Sequence, residues 1–217
     1  MINYGILLKV LQDHCFQIAA VVVALWKWKH LNLFFRAFAL QLMLSLFTDA
    51  LGLALYYTKM VKTTAGLINF YIPLELLLLL GALKHYKYAR WLRVLCTVGF
   101  GVFLIVWLWQ VINDLSIFAN YAFIFENILL LACYFYTLYR CVLDEGLHFH
   151  NATMWACFGV ILFSACIIPY FSVINYLQRF HAELNAKVFL ITRICNALNG
   201  ALITVGLLTY RKADKEQ

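Results

Sequence analysis

The sequence predicts an all-α fold: a polytopic membrane protein, a seven-transmembrane helix bundle with its N-terminus outside and its C-terminus cytoplasmic. Composition is the first ground. Of 217 residues, 65% are hydrophobic and 12% charged, with a mean hydropathy of +0.83, whereas soluble domains run at about 45–50% apolar and about 25% charged. Pattern is the second: the apolar residues form long continuous blocks, without the period-two alternation of a membrane barrel. The third is the placing of charge, since basic residues gather between the blocks as cytoplasmic loops require. The formal charge of +7 therefore reads as loop charge beside a lipid bilayer, and no nucleic-acid partner is expected. The seven cysteines form no CxxC pair and lie mostly inside apolar runs. They read as small core residues, not as disulfides or metal ligands.

A helix needs ~20 apolar residues to cross ~30 Å of hydrocarbon. On that measure residues 1–217 form a single domain with spans at about 5–26, 34–57, 66–84, 91–112, 118–139, 153–174 and 187–210. In span one only Cys15 to Trp26 is strongly apolar. A full crossing must begin near Gly5 and carries Lys9, Gln12, Asp13, His14 and Gln17 into or just above the outer half of the bilayer. Span two bears a polar and small stripe, Gln41, Ser45, Asp49, Gly52 and Tyr56, at helical spacing, the mark of an inward face. In span three Tyr71 and Glu75 lie one turn apart, and Pro73 removes a backbone donor between them. Span four has no internal charge. Its Trp107, Trp109 and Gln110 suit an interfacial belt, and it is expected to face lipid. Span five carries Glu126 and Asn127, and span six is apolar apart from Ser164 and the late Pro169. Span seven holds Arg193, Asn196 and Asn199. Arg193, Ala197, Gly200 and Thr204 fall near one line, a small and polar face that points at other helices.

Orientation follows from the basic residues. With seven spans one side holds Lys27, Lys29, Arg36, Lys84, Lys87, Arg90, Arg93, Arg140, Arg211, Lys212 and Lys215, and the other only Lys9, Lys59, Lys62, Arg179 and Lys187. The richer side is cytoplasmic by the positive-inside rule. Lys84, Lys87, Arg90 and Arg93 form a basic loop suited to anionic lipid headgroups.

That orientation sets depths. Arg193, Asp49, Glu126 and Glu75 fall roughly 9, 12, 12 and 13.5 Å below the outer end of their spans at ~1.5 Å per residue, and His14 joins them. Intramembrane charges face the bundle interior and pair. Three carboxylates cannot all stay ionised cheaply beside one arginine. Arg193 is expected to hold Glu126 or Glu75 as its ion pair, leaving a proton or cation site among the others. The candidate buried polar network is thus Asp49, Glu75, Glu126, Asn127, Arg193, Asn196, Asn199 and His14. A purely structural network fixing helix register is the plainer alternative. His148 and His150 with Asp144 and Glu145 have loop spacing and read as solvated residues, so no metal site is expected.

Seven spans invite comparison with rhodopsins, but a retinal pigment needs a lysine midway along span seven. Lys187 sits at the mouth of that span and Arg193 cannot form the Schiff base, which argues against covalent retinal; no cofactor is expected. Four short patterns carry a closer likeness: FTDALG ending span two, NFYIPLE opening span three, NYAFIFENILLLACYFYTLYR in span five and ICNALNGALITVGLL in span seven. In these the chain resembles a family of small seven-span proteins of Bacteroidota, often encoded near sensor histidine kinases. The resemblance implies a location in the bacterial cytoplasmic membrane and a sensory or signal-relay role with a membrane partner or histidine kinase. A small proton- or ion-coupled transporter is the alternative, weakened by the lack of a repeat and of broken helix pairs. A structural subunit of a larger membrane complex is a third. An enzyme is not expected, since no HExxH or GxSxG signature occurs.

Overall fold

The computed structural model consists of α1 (Tyr4–Lys27), α2 (Leu33–Tyr57), α3 (Ala65–Lys84), α4 (Arg90–Asn113), α5 (Asn120–Glu145), α6 (Ala152–Phe180) and α7 (Ala182–Thr209). It describes residues 4–61, 64–84, 90–113, 115, 117–146, 148, 150–180 and 182–210. Along 4–13, at 84 and 145, and at several positions in 175–189, only the backbone is described. No strand occurs among the described residues. Six helices, α2 to α7, are long and apolar enough to cross a membrane, while the described apolar part of α1, His14–Lys27, is shorter.

Helices adjacent in sequence pack side by side, and α1 closes the ring against α7. Side-chain pairs give the directions. Gln41 on α2 meets Glu75 on α3, while Gly52 faces Thr64 and Leu67, so α2 and α3 run antiparallel. On α4 and α5, Trp91 meets Tyr136 edge to face and Gln110 reaches Ala122, again antiparallel. α1 and α7 run the same way: Gln17 bonds Asn196, and Lys27 reaches the last carbonyls of α7. α3 also touches α5 directly. This leaves α4 against the outside of that seam, with few residues buried, as its lack of internal charge suggested.

Large apolar side chains line the perimeter, among them Val22, Phe47, Leu77, Ile105, Phe135 and Leu208, while Glu126, Asn127, Asn69 and Thr137 are buried. Apolar outside and polar inside is the arrangement a helix bundle needs in lipid, where the backbone satisfies itself and side-chain polarity must turn inward. The chain is a helical membrane protein.

Several helix ends are finished by residues of other helices, which locks the ring. Lys27 Nζ donates to Leu207 O, Leu208 O and Tyr210 O at 2.9, 2.8 and 3.3 Å. A cation on the orphan carbonyls of a helix C-terminus answers both their missing donors and the helix dipole. Lys27→Met is expected to cost about 1–2 kcal/mol, read as a fall of roughly 3–6 °C in the melting midpoint of the purified protein. α5 has no N-cap of its own. Gln110 Oε1 accepts the Ala122 N–H at 2.7 Å, and Asn69 Oδ1 accepts the Ala119 N–H at 2.9 Å. Gln110 is thus a cap for α5, a role its place in an aromatic belt did not suggest.

A buried carboxyl cavity between five helices

Near the middle of the bundle, α2, α3, α5, α6 and α7 enclose a cavity of about 10 Å³, on the scale of one water molecule. Its polar wall is Gln41, Glu75, Glu126, Asn127, Ser164 and Asn199, and its apolar wall includes Phe38, Leu79, Phe123, Leu130, Val160 and Ile203. No lysine, arginine or histidine lines it among the described residues.

Each polar group arrives by a local rule. Gln41 is the first member of the stripe on α2. Its Nε2 donates to Glu75 Oε1 at 2.7 Å and lies 3.1 Å from the Tyr71 hydroxyl. Glu75 and Tyr71, one turn apart, share a face of α3, and the Tyr71 hydroxyl is within reach of Ser45 as well. On α5, Glu126 and Asn127 are each only 1% exposed. Asn127 Nδ2 donates to Phe123 O at 2.8 Å. A carbonyl can only accept, so this bond fixes the amide and turns Oδ1 away. Ser164 belongs to the buried face of α6 with Cys157 and Val160. Asn199 lies against Gly159: a Cβ there would sit 2.7 Å from Asn199 Oδ1, so only glycine lets the amide approach the α6 backbone this closely.

Both carboxyl oxygens of Glu126, Asn127 Oδ1, Ser164 Oγ and Asn199 Oδ1 have no hydrogen-bond partner among the described residues. An unpartnered buried carboxyl is costly, because no water replaces its lost hydration. Glu75 is close enough to act on Glu126 electrostatically.

Three expected members form a second cluster on α1, α2 and α7. His14 Nε2 lies 3.7 Å from Asp49 Oδ2, with side chains 16% and 43% exposed. His14 Nδ1 pairs with Gln17 Oε1 at 2.6 Å, and Gln17 Nε2 donates to Asn196 Oδ1 at 2.8 Å. Asp49 stands on the same stripe of α2 as Gln41 and Ser45, two turns from the cavity-lining Gln41.

The ion pair expected between Arg193 and Glu126 or Glu75 is not formed. Neither oxygen of Glu126 has a hydrogen-bond partner, and Glu75 is held by Gln41. The reason lies in both the face and the level of Arg193, which stands roughly 9 Å along α7 from Asn199. On the line Arg193, Ala197, Gly200 and Thr204, the last two pack on α1: a Cβ at Gly200 would lie 3.1 Å from Gln17 N and Phe16 C, and Thr204 Oγ1 lies 3.3 Å from Phe16 O. Off that line, Asn199 and Ile203 reach the cavity. Arg193 is half-buried and does not line the cavity.

The cavity therefore takes Glu75, Glu126, Asn127 and Asn199 from the expected set and adds Gln41 and Ser164. Both additions are uncharged, and the depth count covered ionisable groups alone. Extended to uncharged polar residues, the same count carries Ser164 to the level of the carboxylates. Of the basic loop, Arg90 and Arg93 are exposed at the start of α4, while the Lys84 side chain and Lys87 lie outside the described residues. His148, His150 and Asp144 are exposed, and the Glu145 side chain is outside the described residues. Among the described residues no group of three or more His, Cys, Asp or Glu is placed to hold a metal ion.

No protein-family model, curated protein or solved structure matches the chain.

Proposed function

We propose that this protein is a sensory or signal-relay component of the bacterial cytoplasmic membrane, without enzymatic activity, that registers a proton, an ion or a small ligand in the five-helix cavity. The observation that carries the reading is Glu126, 1% exposed with both oxygens unpartnered, on a cavity shared with Glu75. A carboxyl placed only to fix helix register has a donor opposite it, and this one has none. All seven helices cross in this reading. α1 runs beside α7 to a common end where Lys27 caps α7, and the basic residues of that end support a cytoplasmic position for it by the positive-inside rule. Arg90 and Arg93 meet anionic headgroups there, and a membrane partner or histidine kinase reads the state of the bundle.

A second reading, a small ion-coupled carrier, draws on the polar cluster from half-exposed Asp49 through His14 and Gln17, and on the stripe of α2 that carries Asp49 and the cavity-lining Gln41. Such a gradation of exposure suits a path of entry. The two readings separate with Glu126→Gln and Glu75→Gln in proteoliposomes and in native membranes. A relay component shows no net flux of protons or sodium ions in vesicles. In native membranes it crosslinks to a membrane partner in a pattern that Glu126→Gln alters. Flux abolished by either substitution establishes the carrier. No flux together with crosslinking unchanged in both variants rejects both readings.

A further inference from the structure

The cavity's chemistry points to a particular class of ligand. Among the described residues, five oxygen atoms on three helices have no hydrogen-bond donor: two on Glu126 and one each on Asn127, Ser164 and Asn199. All four residues line the same cavity. The Asn127 amide is oriented by its bond to Phe123 O, so its free atom is the oxygen. Of the side chains lining the cavity, only Gln41 makes a donor bond to a carboxyl there, and that bond goes to Glu75 Oε1. One carboxyl is thus engaged, and one is entirely open. The space is that of a single water-sized body.

A water molecule alone brings two hydrogens to these acceptors and leaves any charge on Glu126 unbalanced. A transition metal calls for imidazole or thiolate ligands, and among the described residues none lines the cavity. A divalent cation is matched by two free carboxylates, and here Glu75 is already bound to Gln41. One carboxylate together with neutral amide and hydroxyl oxygens matches one positive charge stripped of its water, the principle by which carbonyl oxygens replace an ion's hydration shell in channel filters. We infer that the cavity binds one dehydrated alkali-metal cation, with Glu126 as its counter-charge and Asn127, Ser164 and Asn199 as neutral oxygen ligands. This rests on reading the cavity as a ligand site and gives that ligand its class.

The test is the thermal unfolding of the purified full-length protein in detergent, in N-methylglucamine chloride. Sodium or potassium chloride is exchanged in at constant ionic strength, with magnesium and calcium chloride as separate arms. At a cation concentration about 100 times its dissociation constant, a ligand bound only by the folded protein raises the midpoint by roughly 5–10 °C. The expected result is a saturable rise of that order with sodium or potassium. Magnesium and calcium give no more than the ionic-strength control. Glu126→Gln melts no lower than the native protein in the metal-free buffer and loses the rise. Ser164→Ala, which removes one ligand and is the readout should Glu126→Gln not fold, keeps the rise and shifts its midpoint concentration about tenfold upward.

Absence of a rise specific to alkali cations in the native protein overturns the inference. So does a rise untouched by both substitutions, which places the ion elsewhere, or an equal response to calcium. The wider reading fails separately, when flux and crosslinking are both indifferent to Glu126 even though sodium raises the midpoint. A cavity that holds only a proton and a water keeps its Glu126-dependent crosslinking in sodium- and potassium-free buffer and shows no alkali-ion rise.

Discussion

Replacing Asn69 with leucine is expected to destabilise the protein by about 2–4 kcal/mol, since it strands a buried N–H and at least one carbonyl. The melting midpoint of the purified protein then falls by roughly 5–15 °C. Asn69 is fully buried near the start of α3, and every polar atom of its side chain is in use. Oδ1 accepts the Ala119 N–H at 2.9 Å, and Nδ2 donates to Ile117 O at 2.9 Å with Leu115 O at 3.4 Å. Ala119 is 2% exposed, so no solvent replaces the lost acceptor. The main-chain carbonyl of Asn69 has its own history. Pro73, four residues on, has no N–H to give it, and Trp107 Nε1 donates to it instead at 2.7 Å. That bond survives in Asn69→Leu, so the damage is confined to the α4–α5 connection and the first turn of α5. Hydrogen exchange over residues 117–123 checks this: it accelerates in the variant while exchange in α6 and α7 is unchanged. A uniform rise across the whole chain sinks the explanation.

Asn69 and Trp107 also show what the sequence could and could not reveal. Composition and block length predict a helical membrane bundle because lipid permits few other solutions for a chain this apolar. The helices occupy the expected blocks, and α5, α6 and α7 extend beyond the apolar windows. Hydropathy does not register a helix that continues past its lipid-facing length. The pairing of helix ends was not legible. Pro73 announces a free carbonyl, but nothing local to it says that an indole from another span will fill the gap. Trp107 reads equally well as a belt residue.

The site was legible in level but not in partners. Counting residues from span ends brought Glu75 and Glu126 to one depth, and they do meet at one cavity. Depth carries no angle, however. The count also sets Arg193 too deep: α7 reaches the cavity with Asn199 and Ile203, roughly 9 and 15 Å further along the helix, and Arg193 lies on the line whose Gly200 and Thr204 pack against α1. The angle could have been read from the small residues. Gly200 and Ala197 mark a close helix contact, and a close contact leaves no room for a polar cavity on the same line. Asn199, just before Gly200, is turned about 100° from it and reaches the interior.

Gly200→Leu is the substitution that tests this division of α7 into two faces. A Cβ at Gly200 meets the α1 backbone, Gln17 N and Phe16 C, each at 3.1 Å, and Phe16 Cβ at 3.3 Å. Main chain cannot rotate aside as a side-chain tip does, so a leucine must drive α1 and α7 apart. Overpacking of this kind costs typically 1–3 kcal/mol, and occasionally more. Separating the helices also breaks the Gln17 to Asn196 bond and lifts Lys27 from the end of α7, which brings the expected total to about 3–5 kcal/mol. The melting midpoint falls by roughly 6–15 °C, and limited proteolysis releases the α1 segment before the rest of the chain is cut. The cavity between α2, α3, α5, α6 and α7 does not use α1, so a ligand that stabilises the native protein through Glu126 still stabilises Gly200→Leu by a similar increment. Loss of that increment together with α1 would mean that the α1 face and the cavity are one cooperative unit and that the two faces of α7 cannot be separated.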